Sequence, residues 1–143
     1  MILYRYANSN DISDILLLDE ENFSNNFDEK FYLEYIESKK VIVAENYGKI
    51  AGYILFNCVL DEAEVYKIVV SKDFRKKQIA FKIMEFFIEE LRCNVKKIFL
   101  EVRESNIPAI KLYEKCGFVN IRKIVDYYSN PKENGYMMIK EVV

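Results

Sequence analysis

The sequence has no histidine and no tryptophan, and only three cysteines, four glycines and two prolines in 143 residues. Without imidazole, Ser-His-Asp and Cys-His nucleophilic catalysis are excluded, together with most catalytic zinc sites. Acid–base work must fall to Glu, Asp, Tyr, Lys or Cys, and no metal is expected. Cys58, Cys93 and Cys116 are odd in number, far apart and form no C-x-x-C pair. They argue against a disulfide framework or a thiolate metal site, and each reads as a small core residue. So little glycine and proline leaves no linker or low-complexity stretch, and a single domain over residues 1–143 is expected. The longest apolar runs, Ile15-Leu16-Leu17-Leu18 and Val41-Ile42-Val43-Ala44, fall far short of the roughly 20 residues that span a bilayer. The amino terminus lacks the basic start and long apolar stretch of a signal peptide, so a cytoplasmic address without membrane partners is expected. The net charge of −2 argues against direct nucleic-acid binding.

What is present describes a folded chain: 51% hydrophobic and 31% charged residues. Ile2 to Ala7 reads as a strand. Asn10 or Asp11 can cap a first helix carrying Ile12, Ile15, Leu16 and Asp19, and a second runs from about Asp28 to Lys39. Val41 to Glu45 and Ile50 to Val59 read as a hairpin around Asn46-Tyr47-Gly48-Lys49. Asp61-Glu62 reverses the chain into a strand over Ala63 to Val70. A long amphipathic helix is predicted from about Lys76 to Arg92, with Ile79, Ile83, Phe87 and Leu91 on one face. A strand follows over Lys97 to Arg103. The next helix, Asn106 to Cys116, is capped by Ser105 or Asn106, carries Pro108 in its first turn and ends at Gly117. Phe118 to Tyr128 and Gly135 to Val142 close the chain as strands. This order predicts a mixed α/β sheet with helices on both faces.

Two segments carry chemistry. Val69-Val70-Ser71-Lys72-Asp73-Phe74-Arg75-Lys76-Lys77-Gln78-Ile79-Ala80 is a strand, a turn and a helix start. A helix N-terminus presents unpaired N–H groups and attracts phosphate; Arg75, Lys76 and Lys77 strengthen that field. The second segment runs Leu100-Glu101-Val102-Arg103-Glu104-Ser105-Asn106, then Leu112-Tyr113 and Gly117-Phe118. With Leu60-Asp61-Glu62-Ala63 and Ile68-Val69-Val70 upstream and Tyr127-Tyr128, Glu133 and Met138 downstream, this ordered set resembles the GNAT acetyltransferases. It is most similar to the RimI-like branch, which acetylates the N-terminal alanine of ribosomal proteins.

The resemblance implies the GNAT fold: an α/β (α+β) mixed sheet of about seven mostly antiparallel strands, with a central parallel pair and about four flanking helices. It implies acetyl-CoA as co-substrate and direct attack of a neutral amine on the thioester. By the same resemblance Arg75, Lys76, Lys77, Gln78, Ile79 and Ala80 form the pyrophosphate loop. Ile68, Val69 and Val70 lie along the cofactor, and a backbone N–H near Val69-Val70 can stabilise the oxyanion. Asn106 touches the cofactor arm, Glu101 is the general base with Glu104 as a rival, and Tyr113 is the acid that protonates the departing thiolate. Tyr127, Tyr128 and Glu133 lie on the acceptor side, with Phe27 standing where the branch carries an aromatic Phe-Pro-Trp-like segment. Gln78 replaces the first loop glycine, and Glu133-Asn134-Gly135 replaces the usual Glu-Asp-Ala.

Acidity favours one class of acceptor. A protein α-amine has a pKa of roughly 8 against roughly 10.4 for lysine, so deprotonating lysine costs about 3 kcal/mol more. A single glutamate base therefore suits a protein N-terminus, with a ribosomal small-subunit protein the first candidate by resemblance. The alternatives are a small amine (polyamine, amino acid or aminosugar) and a non-catalytic CoA-binding module of the same fold.

Overall fold

The computed structural model describes residues 1–142. Seven strands form one sheet in the order β1-β2-β3-β4-β5-β7-β6. They are β1 (Ile2–Tyr6), β2 (Val41–Asn46), β3 (Lys49–Val59), β4 (Glu62–Val70), β5 (Lys97–Arg103), β6 (Val119–Ser129) and β7 (Lys132–Glu141). Among the described residues four α-helices accompany them: α1 (Ile12–Asn22), α2 (Glu29–Glu37), α3 (Ile79–Leu91) and α4 (Ile107–Lys115). The chain divides into two compact units, one of Met1–Phe56 with Tyr66–Phe87, the other of Asn57–Val65 with Ile88 onward.

In the first unit β1 pairs antiparallel with β2, and β2 with β3. Val41 to Ala44 and Ile50 to Phe56 are buried without alternation, which is why these strands read as continuous apolar runs. The entry to α1 is a 3-10 turn whose Asn8 side chain accepts from the Asn10 N–H at 2.9 Å, while Asp11 accepts from the Asn8 N–H at 2.8 Å. Asn8 thus caps the 3-10 turn, while Asp11 stands at the N-cap position of α1 without a side-chain capping bond there; its side chain reaches back along the chain and also binds Arg5. Asp28 caps α2 through the Phe31 N–H at 2.9 Å. The predicted stripe of α3 is buried at Ile79, Ile83 and Phe87, and Phe87 packs on Phe56 at 4.7 Å between ring centroids. Truncating a ring in that position costs about 3–5 kcal/mol.

The second unit contains the parallel pair, with Glu62 to Val65 of β4 opposite Lys97 to Leu100 of β5. β5 pairs antiparallel with β7, and β7 with β6. Asn106 caps α4 by accepting from the Ala109 N–H at 3.3 Å, and Gly117, at φ +95°, ends it. A left-handed residue there is what glycine supplies without a Cβ penalty.

Three expectations change. α3 starts at Ile79, because Lys76 and Gln78 have left-handed backbones at φ +64° and +60° and cannot be helical. β7 starts at Lys132, since Lys132 and Glu133 pair with Ser129 and Tyr128. None of the cysteines is a core residue: Cys93 is exposed, and Cys58 and Cys116 are half-buried. Among the described residues no helix is long and apolar enough to cross a membrane, and no cluster of His, Cys, Asp and Glu is arranged to hold a metal ion.

Candidate active site

The first unit holds the turn that the sequence offers for an anion. Gly52 of β3 lets β4 approach closely: a Cβ there would stand 2.6 Å from the Val69 carbonyl oxygen and 3.2 Å from Val70 Cα. Val69 and Val70 are buried, Ile68 half-buried. The chain then makes a short 3-10 turn over Lys72–Phe74 and runs exposed through Arg75 to Gln78 before α3 begins. Gln78 accepts the Lys82 N–H at 3.1 Å, which opens the helix. Its left-handed backbone explains the glycine that the family pattern places here. Two left-handed residues, Lys76 and Gln78, flank Lys77 directly before a helix, and alternating backbones of this kind can build the amide nests that take anions. Lys76 and Lys77 are exposed, with the Lys77 ammonium 5.6 Å from the Phe74 ring centre.

Arg75, grouped with them from sequence, is engaged elsewhere. Its Nε donates to the Val70 carbonyl at 3.1 Å and its Nη2 to Asn22 Oδ1 at 2.7 Å. It braces the turn against the end of α1. Beside the turn, in the same unit, lies a groove of about 470 Å³ lined by Tyr4, Asn46, Phe74, Lys77, Ile79 and Lys82.

The second unit holds the residues that the sequence offers for acid–base work. On β5, Ile98, Leu100 and Val102 are buried while Phe99, Glu101 and Arg103 are half-buried. Glu101 Oε1 accepts the Tyr127 hydroxyl at 2.7 Å. That bond pushes the Tyr127 hydroxyl up to about 12, so Tyr127 remains a donor at any working pH. Burial first, and then the charge of Glu101, raises the carboxyl of Glu64. Glu104 is differently placed: Lys123 pairs with it at 3.0 Å and the Tyr136 hydroxyl donates at 3.3 Å. Its carboxyl is held below the usual range by Lys123, which weakens it as a proton acceptor. Tyr113 is buried and packs on Phe118 at 5.9 Å. Burial raises its hydroxyl well above the ordinary tyrosine value, so it stays protonated.

The residues expected from sequence on the acceptor side form a brace around Arg103. Its guanidinium lies 4.3 Å from the Tyr128 ring centre and donates to the carbonyls of Asn130 and Pro131 at 3.1 and 2.9 Å. Glu133 bonds Arg103 at 3.2 Å and takes the Ser105 N–H at 2.6 Å, and Ser105 holds its carboxyl low. Gly135 makes room for the tyrosines: a Cβ there would meet Tyr128 at 2.9 Å and Tyr127 at 3.3 Å. Asn106 spends its side-chain oxygen on the α4 cap. Phe27, in the first unit, stacks on Phe31 at 4.2 Å. Sequence reasoning missed Gly52, the Tyr127–Glu101 bond and the bracing role of Arg75. A lone glycine inside the apolar β3 run was the one available signal.

Comparison with known proteins extends this picture. The acetyltransferase (GNAT) family pattern matches residues 10–118. The catalytic subunit NAA20 of the N-terminal acetyltransferase B complex from Arabidopsis thaliana is 32% identical over 151 residues, covering 98% of this chain and 85% of that protein. The [ribosomal protein bS18]-alanine N-acetyltransferase of Escherichia coli K12 is 38% identical over 82 residues, 57% of this chain and 55% of its own. The crystal structure of the ribosomal-protein-S18-alanine N-acetyltransferase from Escherichia coli superposes with a TM-score of 0.89 at 25% identity, covering 99% of this chain and 94% of that one. With its mixed seven-stranded sheet, one parallel strand pair and a family match over most of its length, this chain belongs to the acetyltransferase (GNAT) family.

Proposed function

We propose that this protein transfers the acetyl group of acetyl-CoA to the N-terminal α-amine of a protein, acting as one domain. The observation that carries the proton-transfer part is the contrast between two neighbouring carboxylates: Glu101 meets a neutral hydroxyl donor, whereas Glu104 is neutralised by Lys123. Acetyl-CoA supplies the activated thioester. The turn at Lys76 to Ala80 binds its diphosphate through backbone amides, with Lys76 and Lys77 adding charge; Ile68, Val69 and Val70 run along the pantetheine arm, and Asn106 contacts it.

The neutral amine attacks the thioester carbonyl, the C–N bond forms, and the amine proton passes to Glu101, directly or through one water. As the C–S bond breaks, Tyr113 gives its hydroxyl proton to the sulfur, and free thiol leaves. No side chain is acylated, which suits a chain without histidine. Alignment supplies most of the acceleration, and base and acid together supply about 10²–10⁴-fold. Tyr127, Tyr128, Glu133 and Phe27 receive the acceptor peptide, and the Tyr127 hydroxyl fixes the Glu101 carboxylate.

The chemistry of the acceptor follows from acidity, and the likeness to enzymes named for α-amine acetylation supports it. The test is thiol release from acetyl-CoA with a panel of free-N-terminus peptides, ribosomal small-subunit N-termini included, against polyamines, amino acids and aminosugars. Turnover with the peptides is the expected result. Turnover with small amines alone, or cofactor binding without turnover, overturns this reading.

A further inference from the structure

A buried ammonium lies behind the segment that joins α1 to α2. Along β4, Ala63, Val65 and Val69 are buried on alternate positions, and Lys67 falls in the same register. A lysine on that face needs partners on all sides, and residues 19–27 provide them. Its Nζ donates to Asp19 Oδ1 at 3.0 Å and to the Asn25 carbonyl at 2.5 Å. It also lies 4.4 Å from the Phe23 ring centre and 4.3 Å from that of Phe27. The segment Phe23 to Phe27 is therefore folded around one cation, with an aromatic face at each end and a carbonyl in the middle.

Asp19, itself buried, ties the same segment from behind. It accepts from Asn26 Nδ2 at 2.7 Å, the Phe27 N–H at 3.2 Å and the Tyr32 hydroxyl at 2.5 Å. A buried ion pair is weak evidence for stability, because apolar residues of the same volume often do as well. What such a pair supplies is one arrangement in place of several. Cation–π contact adds direction, since the ammonium favours the ring face over the edge. The short connection thus has a fixed shape despite three exposed polar residues, Ser24, Asn25 and Asn26, at its tip.

We propose that Lys67 is a positioning residue for the acceptor, holding Phe23 to Phe27 in the shape that receives it. This rests on the reading of Phe27 as acceptor-facing. A preformed segment spares the acceptor the ordering that an unclasped one would demand on binding. Lys67 acts on acceptor affinity, and neither the chemical step nor cofactor binding depends on it.

The test is steady-state kinetics with the best peptide of the panel on Lys67→Met, Lys67→Arg and Phe23→Leu. Circular dichroism confirms folding and calorimetry gives CoA affinity. In Lys67→Met the peptide KM is expected to rise about tenfold, the amount that one lost cation–π and hydrogen-bond set is worth, with kcat and CoA affinity within about twofold. Lys67→Arg keeps a cation that stacks on both rings and recovers most of the lost affinity. Phe23→Leu keeps the ion pair and the apolar volume, and raises KM severalfold; it decides the question if Lys67→Met does not fold. Unchanged KM in folded variants, or a fall in kcat or CoA affinity as large as the change in KM, overturns the proposal. If the parent protein acetylates no peptide, the proposed function itself fails and takes this role with it. If the parent is active and only the KM split is absent, this role alone is wrong.

Discussion

Replacing Gln78 by glycine probes both the backbone and the chemistry of the turn proposed to bind the diphosphate. Gln78 has a left-handed backbone at φ +60°, which costs a residue with a Cβ about 1–2 kcal/mol. Glycine adopts it freely but loses about 0.5–1 kcal/mol through its larger unfolded-state entropy. The net is a stabilisation of about 0.5–1 kcal/mol, or a rise of about 2 °C in Tm for a chain of this size. Removing the side chain also opens access to the loop amides, so CoA binds equally well or more tightly. Thermal unfolding and calorimetry with CoA measure the two effects on the same sample. A lower Tm contradicts the backbone argument. A Kd weakened more than about tenfold shows that the glutamine amide is itself a ligand, which contradicts the amide-nest argument.

Four other outcomes follow from the geometry. Glu101→Gln lowers kcat at neutral pH by about 10²-fold or more, with activity recovering at higher pH, where the amine deprotonates unaided; pH–rate profiles of parent and variant decide this. Tyr113→Phe lowers turnover on the order of 100-fold while CoA affinity stays near the parent value, since only a proton donor is lost. Gly135→Ala forces the Tyr127 and Tyr128 rings aside and raises the peptide KM, with CoA binding unaltered, as peptide titrations will show. For Asp19, burial raises the carboxyl, but the bonds from Tyr32, Asn26, Lys67 and the Phe27 N–H together hold it below its ordinary value. A depressed folded-state pKa contributes stability that is present above the unfolded value near 4 and lost as pH falls through the folded one. Urea unfolding at stepped pH should show stability falling below about pH 4. Asp19→Asn should flatten that fall, while costing about 3–5 kcal/mol at neutral pH by leaving Lys67 unpaired.

Local chemistry was legible before the structure wherever one residue determines the backbone. Asp28, Asn106 and Pro108 mark helix starts because each satisfies or removes a terminal hydrogen-bonding group, Gly117 marks an end because glycine takes the left-handed backbone freely, and those helices lie where they were expected. The buried face of α3 and the alternation of β5 were also readable from apolar spacing alone. The start of α3 was misplaced because Lys76, Lys77 and Gln78 are good helix formers, and nothing local reveals that two of them are left-handed. β7 was started late because Glu133 and Asn134 have poor strand propensity, which pairing with β6 overrides. Which residues pair across long stretches of sequence was not legible: Tyr127 lies 26 residues from Glu101, and Lys67 lies 48 from Asp19. One clue went unused. A lysine among Ala63, Val65 and Val69 breaks the apolar register, and such a break marks a group that needs a built environment.

The central claim is that this chain moves an acetyl group onto a protein α-amine by direct attack, with Glu101 taking the proton. Mass spectrometry of a free-N-terminus peptide containing an internal lysine, incubated with acetyl-CoA and the protein at neutral pH, addresses it directly. The prediction is acetylation of the α-amine alone, matched one for one by released thiol, and nearly abolished in Glu101→Gln. Acetyl found on the lysine side chain or on the protein itself, or undiminished transfer by Glu101→Gln, would contradict it.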